Sequence, residues 1–270
     1  MSFLFSCPVC GNQLERKDKL LRCSEGHCYD IAKQGYVNLL QSQKSSSKRH
    51  GDDKLMVKSR FDFLNRGYYD CLINYVTETV YKHSFKGMKL LDLGCGECKY
   101  SSAVLEKCSD IDVGGIDISK QALIVGSRRN SNMSLAVASI FSLPVIDNYC
   151  DFVMSIFAPD SIDEIKRVLK KDGYWLRVYP LERHLIGLKS VIYEKPYLNK
   201  VDRSIPNGFE LSQREEIRRM IVIENNTDII NLFRMTPYFY KTGRIDQQKL
   251  DCFNRLDTEI EFGIDVYKKK

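Results

Sequence analysis

KLLDLGCGEC, residues 89–98, is an apolar run that reaches an aspartate and then carries two glycines one residue apart. The run predicts a buried strand, and Gly94 and Gly96 predict a tight turn that leads into a helix. Glycine suits such a turn because it adopts positive φ angles and lets the backbone lie close to a ligand. A second apolar segment ends at Asp117, about 20 residues further on, where a carboxylate can accept both hydroxyls of a ribose. Together the two segments indicate a strand–helix–strand unit that binds a nucleoside, and an ordinary strand-to-helix turn is the alternative.

The glycine loop has no third glycine, because Cys98 and Lys99 stand where a pyrophosphate-binding turn would carry one. A loop that need not grip a diphosphate favours S-adenosylmethionine over NAD as the ligand. The segments 92–97 and 115–117 resemble the first two motifs of class I S-adenosylmethionine-dependent methyltransferases. In that class the glycine loop lines the amino-acid end of the cofactor, and the later acid holds the ribose. Cys95 and Cys98 also match a redox Cys-x-x-Cys pair, an interpretation that the methyltransferase context disfavours.

Composition limits the class of protein without identifying it. The chain has 270 residues, 43% of them hydrophobic, which is enough for one full α/β domain and a small extra module. Its net charge of +6 permits a polyanionic partner. No apolar run is long enough for a membrane span, and no export signal is recognisable. The 10 cysteines therefore favour metal binding or buried thiols in a reducing compartment, and we expect a cytoplasmic protein with no membrane partner.

The N-terminal cysteines are spaced as metal ligands. Cys7 and Cys10 form a Cys-x2-Cys pair, and Cys23 and His27 form a Cys-x3-His pair after an intervening segment in which 14–21 predicts a hairpin. Two such pairs supply four ligands in the tetrahedral arrangement that zinc prefers. Cys28 is an alternative fourth ligand, although we favour His27, and unliganded thiols are the alternative to a metal site. A piece this small cannot hold a core of its own without metal.

The composition divides the chain into three parts. We predict a zinc-binding module at 1–40, which ends in a short strand over 35–40. Residues 41–60 are rich in serine, lysine and arginine, which indicates a basic linker. The linker is either a solvated connection or an arm that becomes ordered on a nucleic acid. A methyltransferase domain at 61–270 would follow, opening with helices over 61–69 and 72–81.

A regular strand–helix alternation follows the first two helices and predicts a parallel sheet with helices on both faces. We expect strands near 88–93, 112–117, 134–139, 151–157 and 174–179, and helices near 98–108, 119–130 and 161–171. A strand over 216–224, helices over 228–233 and 246–256 and a strand over 259–267 would add an antiparallel pair at the sheet edge. The fold class is therefore α/β, with the Rossmann-like sheet of class I methyltransferases and a small N-terminal zinc-binding module.

Ligands of such sheets bind at the carboxyl ends of the strands. Ser139 ends the third strand, where methyltransferases often place an adenine contact. The segment 157–159 ends the fourth strand, beside the transferred methyl group. Ser101 and Ser102, in the first turn after the glycine loop, offer hydroxyls and backbone N–H groups to a carboxylate.

The order of several motifs makes the resemblance more specific. After the zinc-ligand pairs come AKQGYVNLL at 32–40 and FLNRGYY at 63–69, then the glycine loop, RHL at 183–185 and MTP at 235–237. This order resembles the ribosomal RNA large-subunit methyltransferase A family, which modifies N1 of a guanine in a hairpin of 23S ribosomal RNA. The resemblance covers nearly the whole chain. The family includes enzymes associated with resistance to macrolides such as tylosin.

The resemblance implies a set of functional residues. The zinc ligands would be Cys7, Cys10, Cys23 and His27, in a module that helps to recognise RNA. The cofactor contacts would be Tyr69, Gly94, Gly96, Ser101, Ser102, Asp117 and His184, in addition to Ser139. For His184, a plain surface or helix-capping histidine is the alternative. Many relatives carry a glycine where this chain has Cys98, which we expect to begin the helix. We assign no catalytic base: Asp160 is near the reacting end by sequence, but capping of the next helix is the interpretation that we favour.

The predicted activity is transfer of a methyl group from S-adenosylmethionine to N1 of a guanine in a 23S ribosomal RNA hairpin. A small-molecule methyltransferase with a structural zinc cap is the first alternative, and a non-catalytic zinc-containing RNA-binding protein is the second. An NAD-dependent enzyme is disfavoured by the missing third glycine. The sequence leaves a homodimer open and does not indicate which guanine is modified.

Overall fold

The structure, a computed structural model of the chain, describes residues 4–41 and 51–270. The part of the predicted linker at 42–50, with Lys44, Lys48 and Arg49, lies outside the described residues. Within the two described ranges, no helix combines the length and the apolar character that crossing a membrane requires.

The N-terminal module is a small antiparallel sheet that leads directly into the main one. Strands β1 (Glu15–Lys17) and β2 (Leu20–Arg22) form the predicted hairpin, and β3 (Cys28–Asp30) pairs with β2. Strand β4 (Tyr36–Asn38) follows, as predicted for the end of the module. It does not stay with the small sheet: β4 adds a parallel edge strand to the large sheet by pairing with residues 135–137.

The large sheet contains the five predicted strands in parallel order. They are β5 (Lys89–Leu93), β6 (Asp112–Asp117), β7 (Ser134–Val137), β8 (Cys150–Ile156) and β9 (Leu169–Pro180). The chain closes with β10 (Phe209–Ile223) and β11 (Leu256–Lys269), which form the predicted antiparallel pair. The order across the sheet is β10-β11-β9-β8-β5-β6-β7-β4, so the order reverses between β5 and β8, next to the glycine loop. A ligand crevice forms at such a reversal.

Seven of the nine helices in the described ranges overlap predicted ones but differ at several ends, and two of them, over 186–192 and 238–241, were not predicted. The helices are α1 (Lys54–Leu64), α2 (Asp70–His83), α3 (Lys99–Lys107), α4 (Lys120–Gly126), α5 (Ile162–Val168), α6 (Ile186–Ile192), α7 (Asn226–Arg234), α8 (Tyr238–Lys241) and α9 (Arg244–Gln248). The predicted start of the first helix at residue 61 was wrong, because Asp53 caps a helix that begins at Lys54, inside the expected linker. The predicted single helix at 246–256 was also wrong: α9 is followed by a 3₁₀ turn, Lys249–Cys252, and β11 then begins at Leu256.

Alternate side chains of the central strands enter two separate cores. Leu90 packs with α1, α2 and α7 on one face, whereas Leu91 and Leu93 pack on the other, as the two-residue period of a strand requires. The second face is covered by α5 together with Phe5 and Leu14 of the N-terminal module. The described residues 138–149, between β7 and β8, form no helix, and the zinc module packs against them instead. The zinc module is therefore a structural layer of the methyltransferase sheet.

Candidate cofactor site and metal centre

The four predicted zinc ligands converge at one point. The ligand atoms of Cys7, Cys10, Cys23 and His27 all lie within 4.8 Å of one another. The Sγ atoms of Cys10 and Cys23 are 3.6 Å apart, and His27 Nδ1 lies 3.3 Å from Cys23 Sγ. A tetrahedral zinc with Zn–S bonds of about 2.3 Å places its sulfur ligands roughly 3.7 Å apart. The cluster therefore fits one zinc ion, which would tie the two ends of the module together.

Cys28 is not part of this cluster. Its side chain is exposed, and its thiol donates to the carbonyl of Gly26 at 3.3 Å. His27 turns inward instead, and Tyr29 places its hydroxyl 3.1 Å from Cys7 Sγ. A hydroxyl near a ligating sulfur can donate to a thiolate and hold it in place.

The glycine loop and the acid of the second strand are directly bonded. Gly94 and Gly96 have φ angles of 68° and 56°, as the predicted turn requires. The N–H of Gly96 donates to Asp117 Oδ2 at 2.8 Å, and the N–H of Ser119 donates to Oδ1 at 2.7 Å. Burial raises the pKa of the Asp117 carboxyl above its ordinary value. The structure thus brings the predicted loop and the predicted ribose acid together at the carboxyl ends of β5 and β6.

The serines after the loop are buried on α3. The hydroxyl of Ser101 donates to Asp92 at the end of β5, so it supports the loop from behind. Ser102 is also buried, and its N–H donates to the carbonyl of Cys98 at the start of the helix. Ser139 lies beyond β7 at the same sheet edge, where its Oγ accepts the N–H of Phe141. Within the described ranges, the hydrogen bonds of Ser139 are to Phe141 and Ser142 and not to the glycine loop.

Glu97 offers a buried acceptor that no group in the described part of the chain uses. Its side chain is 2% exposed; Oε2 pairs with Arg129 Nε at 2.7 Å, and Oε1 has no hydrogen-bond partner among the described residues. A buried polar atom of this kind is costly unless a ligand supplies the partner. S-adenosylmethionine carries an ammonium group at its amino-acid end, and its ribose carries two hydroxyls. The unpaired oxygen, the glycine turn and Asp117 therefore fit this cofactor.

Tyr69 and His184 form a second pair on the other side of the loop. Both are buried, and the Tyr69 hydroxyl lies 3.4 Å from His184 Nε2. His184 Nδ1 accepts the N–H of Glu261 at 3.1 Å, so the proton of the neutral ring is on Nε2. Burial lowers the pKa of His184 to about 3, which keeps the imidazole neutral at physiological pH. The alternative of a plain surface histidine does not fit this environment.

The segment after β8 connects this pair to the loop. Ala158 lies so close to Gly94 that a Cβ at Gly94 would come within 2.9 Å of its methyl carbon. The ring of Phe157 stacks on His184 with centroids 6.0 Å apart and planes at 28°. The candidate site is therefore continuous from Asp117 through the glycine loop to His184.

Asp160 does not act as a helix cap in this arrangement. Its carboxylate pairs with Arg177 at 2.6 Å, and no side-chain cap bond forms at Ser161. Burial raises the pKa of Asp160, although Arg177 opposes this effect. The ion pair with Arg177 is the interaction that holds this carboxylate in place.

Sequence reasoning missed the residues that cover the cofactor loop. Asp52 and Arg60 form an ion pair beside it, and a Cβ on Gly96 would lie 3.7 Å from the Arg60 guanidinium. Arg60 also donates to the carbonyl of Met235 at 3.2 Å, and Ser119 donates to the carbonyl of Asp52 at 2.6 Å. Within a lysine- and arginine-rich stretch, the sequence carries no signal that separates Arg60 from its neighbours. Glu97, inside the glycine loop itself, could have been found from its position.

The chain matches two family models in sequence. Residues 5–48 match a zinc-ribbon model described as the N-terminal part of RlmA, and residues 91–176 match a methyltransferase-domain model. The chain is 34% identical over 229 residues to the 23S rRNA (guanine(748)-N(1))-methyltransferase of Streptomyces fradiae, covering 82% of this chain and 80% of that protein. It is 32% identical over 274 residues to YxjB of Bacillus subtilis (strain 168), a candidate 23S rRNA (guanine-N(1)-)-methyltransferase, covering 97% of this chain and 95% of YxjB.

Solved structures agree on the fold. A candidate sarcosine dimethylglycine methyltransferase from Galdieria sulphuraria matches with a TM-score of 0.50 and 16% identity, over 76% of this chain and 88% of that one. The [4+2]-cyclase SpnF matches with the same TM-score and identity, over 74% of this chain and 81% of that one. These similarities show a class I methyltransferase fold, and a cyclase among them illustrates that the fold alone does not identify the reaction.

Proposed function

Because the chain belongs to the family of 23S rRNA (guanine-N(1))-methyltransferases, we propose that it methylates N1 of a guanine in a hairpin of 23S ribosomal RNA. S-adenosylmethionine would supply the methyl group on its sulfonium. The observation that carries the proposal is the bond between Gly96 and Asp117, beside the unpaired Glu97 oxygen. This arrangement suits the two ends of that cofactor, and it stands in a chain that also contains the zinc cluster.

The methyl transfer mainly requires that the guanine and the cofactor be held in the right positions. The reaction forms an N1–CH3 bond, breaks the S–CH3 bond, leaves a thioether and releases the N1 proton to water. An in-line displacement of this kind gains most from holding the reactants at the right distance and orientation. Asp117 and the glycine loop would hold one reactant, and the neutral His184 would offer its Nε2–H as a fixed hydrogen-bond donor. No general base is assigned.

The zinc module is proposed to bind the RNA. Its position as a layer on the second face of the sheet supports this role, because it is held rigidly close to the carboxyl end of β7. Basic side chains near it would contact phosphates, which position an RNA without reading its sequence. A ribosomal RNA substrate implies a cytoplasmic protein. A homodimer, which the sequence leaves open, is tested by sedimentation of the same preparation.

The decisive experiment is methyl transfer from labelled S-adenosylmethionine to unmodified 23S ribosomal RNA, with the site mapped by reverse-transcriptase arrest. A methyl group on the Watson–Crick edge of guanine blocks copying, so one new stop at a hairpin guanine is expected. Cofactor binding without transfer to RNA would contradict the proposal and favour a small-molecule acceptor. Absence of cofactor binding would favour an RNA-binding protein without activity.

A further inference from the structure

Phe157 directly follows β8 and has a backbone conformation that phenylalanine rarely adopts. Its φ angle is 56°, in the left-handed region that bulky side chains avoid. Its side chain is 42% exposed, although Ile156 and Met154 before it are buried. Strained residues persist where the surrounding structure holds them in place, and they concentrate at binding and active sites. The strain at Phe157 therefore needs a functional explanation.

The surrounding contacts fix the ring beside the cofactor loop. The N–H of Phe157 donates to the carbonyl of Val178 at 3.1 Å, which anchors the backbone to β9. The next residue, Ala158, touches Gly94. The ring itself packs on His184 and on Phe262, with a centroid distance of 5.8 Å to the latter. The exposed part of the ring lies at the carboxyl edge of the sheet, where ligands of this fold bind.

The proposed reaction creates a need for such a surface. N1 of guanine lies on the Watson–Crick edge, which is occupied or shielded inside a paired and stacked helix. An enzyme that modifies this edge must take the base out of its stack, which costs stacking energy. An exposed aromatic ring can replace that stacking because each base has a π-face.

We propose that the exposed surface of Phe157 is the binding site for the target base, an unpaired purine taken out of the RNA and stacked on this ring. The proposal rests on the proposed function and adds to it the subsite that holds the acceptor. It also explains the strain, because the left-handed turn at Phe157 turns the ring outward beside the loop while Ala158 stays packed on Gly94.

The test compares Phe157→Ala, Phe157→Leu and Phe157→Tyr in methyl transfer to 23S ribosomal RNA, with the affinity for S-adenosylmethionine measured by calorimetry. Phe157→Ala should lose roughly 5- to 150-fold in kcat/KM for RNA, the range to which base–aromatic stacking corresponds. Phe157→Leu should lose a similar factor in kcat/KM, because leucine has no π-face although it restores most of the volume. Phe157→Tyr should stay within about threefold of the wild type, and cofactor affinity should hold in all three variants.

Phe157→Gly provides a readout that a purely structural role would not give. Glycine adopts positive φ without strain, so the thermal midpoint of Phe157→Gly should equal or exceed that of Phe157→Ala while methyl transfer stays low. Phe85→Ala is the matched control: Phe85 is an exposed phenylalanine ahead of β5, at the opposite edge of the sheet, and its loss should leave activity unchanged.

The outcomes separate this proposal from the proposed function. Wild-type transfer to RNA with full activity of Phe157→Ala, or recovery by leucine as well as by tyrosine, would overturn the stacking site and leave the function intact. A wild-type protein that binds the cofactor but transfers no methyl to RNA would overturn both. Loss with alanine and leucine and recovery with tyrosine alone is the expected result.

Discussion

Asp117 has two tasks at the scale of the single residue. Its oxygens accept the N–H groups of Gly96 and Ser119, which ties the ends of β5 and β6 together. Each carboxylate oxygen can accept a second hydrogen bond, so the side chain keeps capacity for the hydroxyls of a ribose. The same carboxylate thus shapes the loop and is proposed to contact the cofactor.

Replacing Asp117 by alanine should weaken S-adenosylmethionine binding by about 1–3 kcal/mol, because hydrogen bonds to a charged group are lost. Isothermal titration measures this change directly. Asp117→Asn keeps one oxygen acceptor and should lose less. Unchanged affinity of the alanine variant would show that the ribose lies elsewhere.

The free energy of unfolding should depend on pH through the ionisation of Asp92. Burial raises the pKa of this carboxyl to about 7, whereas its ordinary value is 3.8. Between these values the folded protein keeps a proton that the unfolded chain has lost, so the free energy of unfolding falls as the pH rises. An asparagine side chain cannot ionise, so the stability of Asp92→Asn relative to the wild type should increase from about pH 4 to about pH 7 and then level off. Urea unfolding at several pH values measures this difference, and parallel curves for the two proteins would contradict the assignment.

Cys98 illustrates that the sequence predicts a local feature, the start of a helix, but not the packing of the same residue. The residue precedes α3, as expected, and has a φ angle of 61°, the conformation for which glycine is best suited. Its side chain is fully buried against Gly126, at which a Cβ would lie 2.6 Å from the sulfur. The start of the helix could be predicted from neighbouring residues, but the tight packing against Gly126 could not, because it depends on a residue 28 positions away in α4.

At the scale of elements, α1 is the largest departure from expectation. Three basic residues, Lys54, Lys58 and Arg60, made this stretch look like a linker, yet its buried residues include Met56, Val57, Phe63 and Leu64. The helix carries Arg60 to the cofactor loop and packs on α7. Its start at a capping aspartate was readable from the sequence; its role in covering the site was not.

Asp53→Ala should lower the free energy of unfolding by about 1 kcal/mol, the usual cost of losing an N-cap. The carboxylate accepts the N–H groups of Leu55 and Met56, both at 2.9 Å, and it also accepts the hydroxyl of Tyr240. Asp62→Ala is the matched control on the same helix, because its exposed pair with Lys58 contributes at most about 0.5 kcal/mol. Urea unfolding of the two variants measures the difference. Equal losses in the free energy of unfolding would mean that the cap stabilises the protein no more than the exposed ion pair does.

The type of an element could be predicted where neighbouring residues determine it. The pairing of strands could not be predicted where it depends on residues far apart in the chain. The Cys-x2-Cys and Cys-x3-His spacings and the strand–helix rhythm each lie within a few residues, so the zinc cluster and the parallel strands agree with prediction. The pairing of β4 with β7 joins segments that are far apart in the chain, with several helices and two strands between them, and no nearby residue encodes it. The same reason explains why the contact of Arg60 with the loop was missed.

At the scale of the whole molecule, the zinc module and the sheet share one hydrophobic core. Cys7 and Cys23 are buried in the hydrophobic core on the second face of the sheet, which also contains Leu91, Ile116 and Trp175. The cofactor loop, in contrast, is held by its own hydrogen bonds to Asp117. Loss of the metal should therefore weaken RNA binding more than it weakens cofactor binding.

Cys10→Ser should reduce zinc content below one ion per chain and weaken RNA binding, while the affinity for S-adenosylmethionine stays within about twofold. Metal analysis, filter binding and calorimetry measure the three quantities. Cys28→Ser, an exposed thiol outside the cluster, should change none of them. RNA affinity that survives the loss of zinc would remove the recognition role of the module.

The edge position of β4 has a consequence for biosynthesis. This strand leaves the ribosome with the zinc ligands already complete, but its partner β7 is translated about 100 residues later, roughly 5–20 s at common rates of synthesis. During that interval the module has its metal ligands and no sheet to cover, and its apolar side chains stay exposed. Metal loading should therefore precede sheet formation on the nascent chain, and a zinc-starved cell should accumulate this protein in an aggregated form.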